Sequence, residues 1–104
     1  MAQFDIYANP NQAPGEPVRY LLDLQAEIIE DLPTRVVAPL VAPESLGPSM
    51  RILNPTIFVH GEPFILLSHL LAAIPAKSLG RPLASAKAQR DEIVRSVDFL
   101  FTGA

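Results

Sequence analysis

The sequence predicts a mainly β domain of the α+β class, with the strands first and a single helix last. Short β-branched and aromatic runs alternate with proline and glycine punctuation along most of the chain, and the eleven prolines are about twice the usual share of 5%. The clearest apolar period of three to four residues comes at the C-terminal end, where Ile93, Val97 and Leu100 recur and Val94 and Phe101 widen the stripe.

Each element has a local reason. Gln3-Phe4-Asp5-Ile6-Tyr7 alternates polar with apolar, the pattern of a half-buried strand, and stops at the proline-rich stretch Asn9 to Pro17. Arg19 to Gln25 reads as a second strand, with helix as the rival assignment. Glu30-Asp31-Leu32-Pro33 marks a turn, and Arg35 to Val41 is a β-branched run. Pro39 cannot donate to a ladder, which predicts an edge or a bulge at that position. Pro43 to Pro48 is a connector. Thr56 to Val59 and Pro63 to Leu67 flank His60-Gly61-Glu62, a hairpin signal. Leu70 to Ile74 is a short apolar segment ended by Pro75. Ser85 has the chemistry of an N-cap for the terminal helix, whose charges Arg90, Asp91, Glu92 and Arg95 mostly take the face away from the stripe. The helix runs almost to Phe101-Thr102-Gly103-Ala104, which is either a scaffold end or a short tip held out for contact.

Composition narrows the function classes. A chain of 104 residues supports one domain spanning 1–104 and one core. Hydrophobic residues make up 49% and charged ones 18%, against about 25% charged in typical domains. Part of that apolar excess is expected in an oligomer interface. With no cysteine, disulfides and thiolate chemistry are excluded, which fits a reducing cytoplasm. No basic n-region opens the chain, and the greasy stretch from Ile65 to Ala76 is shorter than the about 20 residues that span a bilayer. Eight Lys plus Arg against eleven Asp plus Glu lack the basic excess of a nucleic-acid binder. Arg51, Lys77, Arg81 and Lys87 are therefore read as scattered solvated charges.

No catalytic constellation stands out. The sequence has no phosphate-cradling glycine loop, no paired metal-binding histidines on a helix and no serine framed as a nucleophile. His60 and His69, with Glu62 nearby, could form an acid-base or metal pair, but loop histidines facing water are the expectation. Asp23 and Glu27 would share a face only if their segment were helical. Neither a catalytic residue nor a cofactor or metal is assigned.

Taken in order, Gln3 to Tyr7, Leu22-Asp23-Leu24-Gln25-Ala26-Glu27-Ile28-Ile29, Arg35-Val36-Val37-Ala38-Pro39-Leu40, Asn54-Pro55, Ala73-Ile74-Pro75 and the closing helix through Asp98-Phe99-Leu100-Phe101-Thr102-Gly103-Ala104 resemble CcdB, the toxin of CcdA/CcdB toxin-antitoxin systems. The likeness runs over essentially the whole chain. It implies an SH3-like barrel of the CcdB/MazF type, with an antiparallel sheet, a small second sheet and a C-terminal helix, assembled as a homodimer. It further implies a cytoplasmic poison that acts by binding. Such a toxin engages DNA gyrase A and traps the topoisomerase on cleaved DNA, until the tail of a cognate CcdA-like antitoxin releases it. The gyrase-contact set implied by the resemblance is Ile28, Ile29, Asp98, Thr102, Gly103 and Ala104. Ile28, Ile29 and Gly103 match the family pattern. Thr102 stands where the family shows Trp, Ala104 where it shows Ile, and Ala26 where it shows Ser. Two alternatives remain open: a CcdB-like module that binds antitoxin without poisoning, and an endoribonuclease of the MazF type.

Overall fold

The computed structural model describes residues 2–27, 31–45 and 51–103. Their strands are β1 (Asp5–Ala8), β2 (Val18–Asp23), β3 (Thr34–Val41), β4 (Thr56–Val59), β5 (Glu62–Leu66), β6 (Ala72–Pro75) and β7 (Ala84–Ser85), followed by helix α1 (Arg90–Thr102). Seven strands form one antiparallel sheet in the order β4-β5-β3-β2-β1-β7, with β6 branching from β3. The sheet curls into a nearly closed barrel, as expected. The small second sheet that the resemblance implies is here continuous with the first, because β3 pairs with β6 along Thr34 to Val37 and with β5 at Leu40 and Val41.

That change of partner explains Pro39. The expectation of an edge or bulge there is corrected, since β3 is an interior strand and the register shift lies on β2, between Val18 and Tyr20. Leu24 N donates to Val36 O at 2.9 Å, so the hydrogen-bonded pairs of the β2/β3 ladder also include 22 with 38 and 20 with 40. Position 39 thus faces away from β2, into the gap where β6 gives way to β5. A proline there forfeits no bond to β2, and its carbonyl accepts from Leu67 N at 2.9 Å.

The β4/β5 hairpin turns on His60 and Gly61, whose φ angles of 50° and 82° are the paired positive values of a type I′ turn. At the N-terminus Phe4 has φ 69°. This left-handed residue breaks the extended run expected from Gln3, so β1 begins at Asp5. Phe4 is held there by its N–H to Asp23 O at 2.7 Å and by Ala86 N to its own carbonyl at 2.8 Å.

The sheet buries both faces. Ile6, Leu22, Ala38, Leu40, Ile57, Phe64 and Leu66 fill the barrel interior with Ile93 of α1. On the reverse face Tyr7 and Val37 pack with Leu79. Neighbouring residues Ile6 and Tyr7 are therefore both buried, on opposite sides. Two-sided burial departs from the half-buried strand expected for β1.

β4 and β7 end the strand path, and side chains close the seam between them. On β4, Thr56 and Phe58 direct their backbone groups away from β5. The Gln89 side-chain amide meets both, accepting from Phe58 N at 2.9 Å and donating to Thr56 O at 2.8 Å. Nearby, His60 Nε2 lies 3.1 Å from Leu83 O.

Candidate functional site

Helix α1 carries the surface that the sequence singled out. It starts at Arg90, later than a Ser85 N-cap would place it. The Ser85 hydroxyl instead accepts from Lys87 N at 3.2 Å and opens the 3-10 turn Lys87–Gln89 that leads into the helix. Asp91 and Glu92 occupy the first turn, where negative charge suits the helix dipole.

The inward face differs from the expected stripe in two places. Ile93 is buried and Val94, Val97 and Leu100 are half-buried, but Phe101 is 68% exposed. It sits one heptad after Val94 on the helix flank, past the part of the helix the barrel covers. The other fully buried position is Ser96. Its hydroxyl lies 2.6 Å from Leu53 O and 2.8 Å from Ser68 Oγ, and Ser68 Oγ donates to Leu53 O at 2.7 Å. This polar knot ties the helix to the chain ahead of β4, and periodicity alone gave no signal of it.

The helix ends in an αL cap. Gly103 has φ 72°, and its N–H donates to Phe99 O at 3.0 Å, the role glycine fills most cheaply. The Thr102 hydroxyl bonds back to Asp98 O at 2.7 Å. Phe101, Thr102 and Gly103 are all exposed. Of the six residues in the expected contact set, Asp98, Thr102 and Gly103 therefore gather on one projecting helix end. Ile28, Ile29 and Ala104 lie outside the described residues.

Beside Asp98, Val94 and Val97 face Gln3 and Leu24 across a cleft of about 100 Å³. Its sheet-side wall belongs to the stretch that leaves β2, and that stretch is anchored by a buried ion pair for which sequence spacing gave no warning. Arg35 and Asp23 have fully buried side chains. Arg35 Nε and Nη2 approach Asp23 Oδ2 at 2.9 and 2.8 Å, and Nη2 also reaches Gln25 O at 3.3 Å. Burial pushes the Asp23 carboxyl above the ordinary carboxylate value, opposed by the Gln25 amide and Arg35. The signal that could have found the pair is an aspartate inside an apolar run and an arginine leading another. Glu27, the other half of the carboxylate spacing with Asp23, is exposed and lies 3.6 Å from Lys87 Nζ.

The histidines have separate partners: His60 meets Leu83, and His69 Nδ1 lies 3.3 Å from Asn54 Nδ2. Among the described residues no three His, Asp or Glu side chains converge as a metal site would require, and no helix is long and apolar enough to cross a membrane. A larger groove of about 340 Å³ lies on the reverse sheet face, over Leu21, Pro39 and Ile74.

A barrel closed by one C-terminal helix agrees with what comparison by sequence shows. The family model described as CcdB protein matches residues 3–103. The chain therefore belongs to the CcdB family, toxins of toxin-antitoxin systems.

Proposed function

We propose that this protein poisons DNA gyrase by binding gyrase A and trapping the cleavage complex, and that a cognate CcdA-like antitoxin neutralises it. The observation that carries the reading is the projecting end of α1, where Phe101 is 68% exposed beside the αL cap at Gly103, in a chain matched to the family along nearly its whole length. A large aromatic held out by a rigid helix is the kind of anchor that protein interfaces bury. Asp98, Thr102 and Gly103 form the described part of the contact set, completed by Ile28, Ile29 and Ala104. The protein acts as a homodimer, which gives its apolar excess a place to be buried. It needs no cofactor, performs no chemistry of its own, and works in the cytoplasm.

The test is binding of the purified protein to gyrase A, together with gyrase-dependent DNA cleavage. Tight binding with accumulated cleavage complex is expected. A protein that does neither sinks the gyrase reading. Thr102 favours one second reading, a module that retains the antitoxin but has lost toxicity, because a threonine whose hydroxyl is turned back to Asp98 O at 2.7 Å offers far less contact area than a tryptophan. Absence of a growth defect on expression, with antitoxin binding retained, would select that reading. Intact RNA in the same cultures would dispose of the endoribonuclease alternative.

A further inference from the structure

We infer that Asp23 and Arg35 are positioning residues for the contact surface: their buried ion pair fixes the Leu24–Gln25 stretch that walls the cleft beside Asp98. Polar groups along that stretch are tied down one after another. Leu24 N donates to Val36 O at 2.9 Å, and Leu24 O accepts from Gln3 Nε2 at 3.1 Å. Gln25 N donates to Asp23 Oδ1 at 2.9 Å, Gln25 O accepts from Arg35 Nη2 at 3.3 Å, and Gln25 Oε1 accepts from Val36 N at 3.0 Å. Gln25 is itself 5% exposed. A chain leaving a strand usually gives such groups to water.

Stability alone does not account for this arrangement. A buried ion pair loses so much hydration that well-packed apolar residues often replace it without loss. What apolar residues cannot supply is direction. One carboxylate oxygen holds Arg35 while the other holds the Gln25 amide, and the guanidinium spans from Asp23 to the Gln25 carbonyl, so the pair dictates the path the chain takes from β2 toward the cleft. Leu24 then faces Val94, Val97 and Asp98 of α1 across the cleft. A rigid wall lowers the ordering cost of any partner seated there.

The experiment pairs amide exchange by NMR with binding to gyrase A, in wild type and in the double variant Asp23→Val/Arg35→Met. Only the binding arm rests on the gyrase reading. The double variant should fold, with a thermal midpoint within about 5 °C of wild type. Its Gln25 amide should exchange at least about tenfold faster while Leu22 and Ala38 are unchanged, and its affinity for gyrase A should fall about tenfold or more. A folded double variant with wild-type exchange at Gln25 overturns the inference, as does one with faster exchange and undiminished binding. If the double variant does not fold, wild type decides. Gln25 exchanging as slowly as Leu22 supports the inference, and Gln25 exchanging as fast as the exposed Ala13 overturns it. If wild type does not bind gyrase A, the functional reading falls while the exchange data still judge the positioning role.

Discussion

Replacing Gln89 with alanine should weaken the whole barrel, although Gln89 lies outside every strand. Its amide makes two hydrogen bonds to the outer edge of β4, at 2.9 Å to Phe58 N and 2.8 Å to Thr56 O. A neutral hydrogen bond contributes about 0.5–1.5 kcal/mol net. The bond to Phe58 N is exposed, so water recovers part of it, and the pair together should be worth about 1.5 kcal/mol. For a domain near this size that corresponds to a drop of about 6–12 °C in Tm. Urea unfolding of Gln89→Ala should show a lower midpoint with an unchanged m-value, because the exposed area on unfolding is the same. The variant also leaves an open edge strand, which should raise light scattering on heating in a concentration-dependent way. A Gln89→Ala protein within about 0.3 kcal/mol of wild type, with no added scattering, would refute the view that this side chain closes the barrel.

The remaining predictions concern the reverse face and the helix end. Tyr7 Oη is buried with no hydrogen-bond partner among the described residues, so Tyr7→Phe should be neutral or stabilise by about 1 kcal/mol at neutral pH; a loss of similar size in urea unfolding would contradict this. Burial, then Asp5 and Asp23, raise the Tyr7 phenol above its ordinary value, while Arg35 opposes them. Its contribution is thus fully present below the unfolded tyrosine pKa of about 10 and is lost as pH rises through the folded value. Unfolding curves followed above that pH should decline more steeply for wild type than for Tyr7→Phe. Gly103→Ala meets no steric obstacle but keeps φ at 72°, so it should cost about 1 kcal/mol at the helix end, seen as faster amide exchange at position 103 and its neighbours. Thr102→Trp should tighten binding to gyrase A by about 2 kcal/mol, roughly 30-fold; unchanged affinity in titration calorimetry would show that the tip is not where this protein acts.

Local chemistry announced much of this fold. Paired positive φ at His60 and Gly61 follows from a hairpin turn flanked by β-branched residues, and Gly103 sits where a helix stop wants glycine. What stayed hidden depends on partners distant in sequence. Ile6 and Tyr7 are adjacent yet both buried, because Leu79 packs on the reverse face, a long-range event that no window around β1 contains. Ser96 interrupts the helix stripe because its bonds go to Leu53 and Ser68. Asp23 and Arg35 are twelve positions apart and meet only once β2 and β3 align. Of the proposed contact surface, the exposed helix end follows from the resemblance, whereas the cleft wall beside it was not legible in the sequence, since it depends on that pair.

Two-sided burial has a consequence for folding fidelity. In a one-sided sheet, sliding a strand by one residue throws its apolar set into water, and that cost alone enforces alignment. Here a slip of β3 against β2 would largely exchange one greasy neighbour for another, so hydrophobicity discriminates weakly between the correct pairing and its nearest error. The charges discriminate strongly. Displaced by one position, Arg35 would turn into the barrel interior beside Ile6 and Leu22, where a lone guanidinium costs several kcal/mol, and Asp23 would lose its counterion at the same moment. A single buried pair thus adds a penalty against misalignment to the weak preference that the apolar residues supply.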